Sequence, residues 1–176
     1  MSEILVDLLI IQKQIHPSLL AIVDGTVCGD GAGPRTMVPR IKNYLLAGYD
    51  QVAVDAIVAK MMGFEPLKLP AIKIAHDEGL GCGDVDQIEI IGENVSDINW
   101  NFKVKRSFVI WGDQMVRKGP LHFLYPLFRS ELFFLGPTYA SKIYHDMLWY
   151  PTVGKRRINK FMKTEWSNLF NEYPIS

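Results

Sequence analysis

Leu19-Leu20-Ala21-Ile22-Val23-Asp24-Gly25 is the stretch on which the fold reading turns. Five consecutive apolar residues, too few for a helix turn pattern and closed by Asp-Gly, read as a strand covered on both faces, the habit of parallel sheets. Upstream, apolar residues at 4, 5, 8, 9, 11 and 15 predict one face of an amphipathic helix over 3–15. Downstream, Gly25, Gly29, Gly31, Gly33 and Pro34 predict a loop over 25–34, and Ile41–Ala47 predicts a second strand stopped by Gly48. Asp50 then stands where a helix N-cap belongs, ahead of a helix over 51–62 that Gly63 ends. Pro70 opens a short helix, 70–78, closed by Gly79. A second glycine loop, 79–83, leads to a third strand, 88–92. The alternation predicts an α/β fold: a small, mostly parallel sheet with flanking helices. Three strands fall short of the roughly five or six of an ordinary sheet, so the core is expected to need another chain or segment.

Composition limits the classes that remain. The 176 residues hold 19 Lys+Arg against 19 Asp+Glu, with 48% hydrophobic and 22% charged residues, which is globular rather than disordered. No apolar run reaches the roughly 18–20 residues of a transmembrane segment. Two cysteines can build neither a disulfide scaffold nor a four-cysteine metal site. The N-terminus is apolar but lacks a basic leader and carries Glu3 and Asp7, so the expected setting is cytoplasmic with reduced thiols.

The zero net charge conceals a split. Residues 1–100 carry 7 basic and 14 acidic side chains, and residues 101–176 carry 12 and 5. Of the 20 aromatic residues, 16 lie in the second stretch. This predicts an α/β domain over 1–100 and a basic, aromatic-rich helical tail over 101–176, with the seam near Asn99–Lys105. Tail helices are expected at 138–149, 153–162 and 165–172, with Thr164 as a cap. The basic tail either packs against the acidic domain or binds an anionic partner. Lys155-Arg156-Arg157 beside aromatic residues suggests nucleic acid, but overall neutrality argues against it.

Two loops share a tripeptide, Cys28-Gly29-Asp30 and Cys82-Gly83-Asp84, each inside a glycine-dense stretch. Gly29, Gly31, Gly33, Gly81 and Gly83 would let backbone N–H groups approach an anionic ligand; the plain alternative is tight turns. Neither stretch is a dinucleotide fingerprint or a P-loop: Pro34 stands where a glycine is required, and no Gly-Lys-Ser/Thr follows. Asp24, Asp30 and His76 are the candidate ligands of a divalent cation, with Asp84 beside them as a ligand-binding residue. Asp30, Asp55, Cys28 and Cys82 are the catalytic candidates. Asp55 interrupts an apolar helix, so it is expected to be buried and paired or functional, unless it occupies the exposed face. The cysteines would form a redox pair if the loops face each other; buried structural thiols are the plainer reading. Tyr144-His145-Asp146 could hold an oriented base, but packing is the simpler expectation.

Asp24-Gly25, Gly29–Pro34, Leu46-Ala47-Gly48-Tyr49-Asp50 through Ala56, Met62-Gly63-Phe64, Gly79–Asp84 and Ile90-Ile91-Gly92, in this order, resemble the "domain of unknown function 362" family over roughly residues 3–95. The stretch from Tyr144-His145-Asp146 to Leu169-Phe170 is similar to an extension found in some members. The resemblance implies an α/β domain, sometimes joined to ferredoxin-like modules and so redox-associated, without a settled reaction. This chain lacks a ferredoxin cysteine pattern, which argues against an intrinsic iron–sulfur cluster. By the same resemblance it corresponds to the family domain's C-terminal half, so a partner chain or homo-oligomer would supply the rest.

Two functions follow as expectations. One is a ligand- or metal-binding module whose loops 24–34 and 76–86 form the site. The other is a non-catalytic interaction protein whose aromatic, basic tail docks a partner chain or an anionic surface.

Overall fold

A computed structural model of the chain describes residues 2–31, 33, 36–104, 115–116, 118–124, 139 and 141–173. They fall into two compact units, Met1–Cys28 with Ile41–Lys103, and Gly29–Arg40 with Val104–Ser176.

The first unit is organised by one helix. Helix α1 spans Ser2–Ile15, strands β1 and β2 span Ala21–Asp30 and Val38–Gly48, helix α2 spans Gln51–Met62 and helix α3 spans Pro70–Asp77. The Asp50 carboxylate caps α2 by accepting from the N–H groups of Val52 and Ala53 at 2.9 and 3.0 Å. Gly63, at φ 96°, ends it: Gly63 N–H donates to Lys60 O and Phe64 N–H to Ala59 O, both at 2.9 Å. Because α2 is apolar around most of its circumference, it can be buried on two sides. Val52, Ala56 and Ala59 pack against Val6 of α1 and Ile72 and Ala75 of α3. Ile57 and Met61 pack with Val95, Tyr44, Leu46 and Trp100. The segment after Val95 finishes the helix end: Trp100 N–H donates to Met61 O at 2.8 Å and Phe102 N–H to Met62 O at 2.9 Å. Lys60 Nζ donates to the carbonyls of Val95 and Ser96.

The sheet departs from expectation. Among the described residues there is one sheet of two strands, antiparallel rather than mostly parallel. Only seven residues separate β1 from β2. That is a hairpin connection, since a parallel crossover needs about a dozen or more residues. Gly25 and Gly29 do not open a loop, because β1 runs on through both to Asp30. They sit where the chain crowds: a Cβ at Gly25 would lie 3.0 Å from Tyr44 O. Residues 88–92 have no strand partner among the described residues and are irregular.

Helix α1 also turns differently from its apolar pattern. Val6, Leu9 and Ile10 make the core contact, and Ile4, Leu5, Leu8, Ile11 and Ile15 are exposed.

The second unit holds the hairpin tip and the C-terminal helices. A π-helix, Tyr144–Gly154, runs without a break into α4, Lys155–Phe161; α5 follows at Glu165–Glu172. Pro151 lies inside the π-helix. Proline lacks an N–H and its ring clashes with the carbonyl four residues back, and a wider turn relieves the clash. Arg157 Nη1 donates to Thr36 O and Met37 O at 2.7 and 2.9 Å, while its guanidinium lies 5.5 Å from the Trp149 ring centre. Thr164 occupies the N-cap position of α5, yet its hydroxyl donates to Phe161 O at 2.6 Å instead of accepting from the helix. Among the described residues no helix is long and apolar enough to cross a membrane.

Candidate functional site

The sequence candidates are held by local bonds. Asp24 accepts from Thr26 N–H at 2.9 Å, and the backbone and hydroxyl of Thr26 hold its carboxyl below the usual aspartate range. Cys28, half-buried on β1, donates to Gly25 O at 3.5 Å. Desolvation pushes its thiol up, Lys42 opposes that shift and Asp24 adds to it, so the net effect is a less reactive sulfur. Asp30, at 7% exposure, pairs with Arg40 at 2.6 Å across the hairpin. Gly29, Gly31 and Gly33 lie at the strand end and turn; a Cβ on Gly29 would meet Met37 Sδ at 2.5 Å.

The second glycine stretch closes on α2 and α3. Cys82 N–H donates to Asp50 Oδ2 at 2.7 Å, so one carboxylate caps α2 and clamps the loop. Gly81 sits against that carboxylate, and a Cβ there would overlap Asp50 Oδ1 and stand 2.8 Å from Val52 Cβ. Gly83 N–H donates to His76 Nδ1 at 3.1 Å, which engages one of its two ring nitrogens in holding the loop. Asp84 caps the 3₁₀ turn Val85–Gln87, accepting from Asp86 N–H and from Gln87 Nε2. Cys82 Sγ donates to Asp84 O at 3.4 Å, and both cysteines are free. Asp55 is on the exposed face of α2, with neighbouring atoms desolvating it enough to raise its carboxyl above the usual range. His145 Nδ1 lies 2.7 Å from Ser141 O, within its own helix. Among the described residues no group of three or more His, Cys, Asp or Glu side chains could hold a metal ion.

What the first unit does present is a cleft of about 770 Å³. Its lining runs along β2 from Asn43 to Gly48 and on to Tyr49, across Ala53, Val54 and Ile57 of α2, and along residues 87–91. Cys82 is the one sequence candidate from the Cys-Gly-Asp stretches in this lining, and Asp50 joins it. Tyr44 Oη donates to Glu93 Oε1 at 3.1 Å; desolvation first, then the Glu93 carboxylate, raise the phenol above its ordinary range. Asp50, Glu89 and Glu93 supply acid to the lining, and no lysine or arginine among the described residues does. Ile88, Glu89 and Glu93 belong to none of the motif stretches. Ile88 and Glu89 lie in the strand-like stretch 88–92 and Leu46 in the expected strand Ile41–Ala47, and nothing in the sequence points to Glu93.

No family profile, curated protein or solved structure matches this chain.

Proposed function

We propose that this chain is a non-catalytic interaction module that takes the rest of its sheet-and-helix body from a partner chain. The observation that carries the reading is apolar surface left bare on the hairpin, on α1 and on the segment after α3 in the first unit. Ile91 is 92% exposed and Leu45 72%, and Leu20, Ile22 and the outer stripe of α1 are exposed with them. Burying such side chains is worth about 1.5–3 kcal/mol each, and bare apolar surface of this kind marks interaction faces. Phe123, Tyr139 and Tyr173 add exposed aromatic surface in the basic C-terminal stretch. Kinship with the domain of unknown function 362 family belongs to the same proposal and rests on the ordered motifs. The two free thiols support a reducing, cytoplasmic setting.

Light scattering on the full chain, with and without an apolar dye, tests it. The expected result is concentration-dependent association and dye binding, both suppressed in Ile22→Glu/Leu45→Glu with its circular dichroism unchanged. A monodisperse monomer that binds no dye would overturn the proposal.

A second reading, small-ligand binding, is favoured by the cleft, whose volume lies in the range of small-molecule sites. Its check is ligand-shift melting: a metabolite that raises the melting temperature, and fails to do so in Ile57→Trp, would support it.

A further inference from the structure

Two stretches that line the cleft, β2 and residues 88–91, have strand-like chemistry and an open side among the described residues. The outer edge of β2 has no neighbour, because among the described residues the sheet is β1 and β2 alone. An edge like this presents a row of free N–H and C=O groups, a template for another strand. Ile88-Glu89-Ile90-Ile91 lines the same cleft, alternates apolar and polar at its start, and enters with Ile88 in extended backbone at φ −92°, ψ 119°. It too has no ladder partner among the described residues. Ala53, Val54 and Ile57 contribute an apolar part of the lining from α2.

We infer that the cleft is a slot for one extended segment of a partner chain, pairing with β2 and residues 88–91, with apolar side chains alternating with lysine or arginine. The inference rests on the interaction-module reading and specifies its partner.

Three observations select this occupant. The first is size. With strands about 4.8 Å apart, sheets about 10 Å apart and a rise of about 3.4 Å, one strand residue takes roughly 160 Å³. A cleft of about 770 Å³, walled by Asn43–Tyr49, has room for a short extended segment. The second is polarity: an extended backbone is the one occupant that satisfies an edge row of N–H and C=O groups while placing alternate side chains on an apolar floor. The third is charge. Glu89 is exposed and Glu93 carries only the Tyr44 hydroxyl bond, so the lining is acidic with no basic residue among those described. A cationic strand is drawn in and an acidic one repelled, with a dependence on salt.

The test uses the full chain and a fluorescent peptide of alternating lysine and valine. Anisotropy should show saturable binding that weakens with salt, and a glutamate–valine peptide should not bind. Glu89→Lys should weaken binding roughly tenfold and Glu89→Gln less, the order expected of a charge contact. Should Glu89→Lys misfold by circular dichroism, Glu89→Gln alone carries the comparison. N-methylating the valine amides of the peptide should abolish binding, and amide exchange should slow along Tyr44–Gly48 and Ile88–Ile91. Binding that survives N-methylation, or leaves those amides exchanging at the free rate, would overturn strand addition while partner docking stands. Absence of peptide binding would overturn it as well, and so would self-association that displaces the peptide, since a second copy would then fill the slot. The broader docking reading falls separately, on the dye and light-scattering result.

Discussion

Cys-Gly-Asp occurs twice in this chain and meets two fates. At Cys28-Gly29-Asp30 it is the end of a β-strand, its acid turned to Arg40 across the hairpin. At Cys82-Gly83-Asp84 it is a turn: Asp50 receives the Cys82 N–H, His76 receives the Gly83 N–H, and Asp84 caps three residues. The difference lies outside the tripeptides. In the first, a facing strand offers a ladder; in the second, the carboxylate and imidazole of two neighbouring helices offer acceptors. Local identity thus says what a segment tolerates, and the available partners decide what it becomes.

The comparison breaks most readily at Asp50. Asp50→Ala removes a helix cap and the clamp on the second tripeptide together, and should cost about 2–4 kcal/mol in urea unfolding. Asp84→Ala, losing only a short exposed turn's cap, should cost about 1 kcal/mol or less. Equal losses would mean that the loop does not depend on α2.

A methyl group probes the same contrast. Gly81→Ala drives a Cβ into a carboxylate pinned by three N–H groups and should cost about 1–3 kcal/mol. Gly29→Ala meets the end of the exposed Met37 side chain, which can swing aside, and should cost under about 1 kcal/mol by thermal melting. A larger loss at Gly29 would assign the first tripeptide a rigid role that its strand does not provide.

The smallest effect belongs to Asp55. Its raised carboxyl means that folding favours the protonated form. That contribution is fully present below the ordinary aspartate value and is lost as pH rises through the raised one. Asp55→Asn should therefore melt slightly higher than the parent at neutral pH, with the gap closing as pH falls to the ordinary aspartate value. A gap that widens on acidification would reverse the assigned sign.

What could be read from sequence was what short-range chemistry settles. Asp50 and Gly63 bracket α2 because a carboxylate before the first turn and a glycine after the last satisfy groups that every helix leaves open. The apolar run at residues 19–23 did mark a strand, and β1 opens inside it. Its direction relative to β2 was missed, because Gly25 and Gly29 look like loop residues until Tyr44 and Met37 are seen crowding them. Residues 88–91 have strand chemistry but no neighbour, and a ladder is a property of two segments. Asp55 within an apolar helix left two readings, buried and paired or outward-facing, and the structure places it on the outward face of α2. No single motif spells out the cleft, since its lining comes from Leu20, from residues 43–57, from Cys82 and from residues 87–95, which meet only in the folded chain.

The hydrogen bonds from Trp100 and Phe102 to the last carbonyls of α2 fix where the first unit can be divided. A protease nick ahead of Trp100 would leave Met61 O and Met62 O to water and release Trp100 from its tilted contact with Tyr44, 5.6 Å between ring centres. The abrupt change in charge near residue 100 invites a cut there, yet the bonds that finish α2 run on through Phe102.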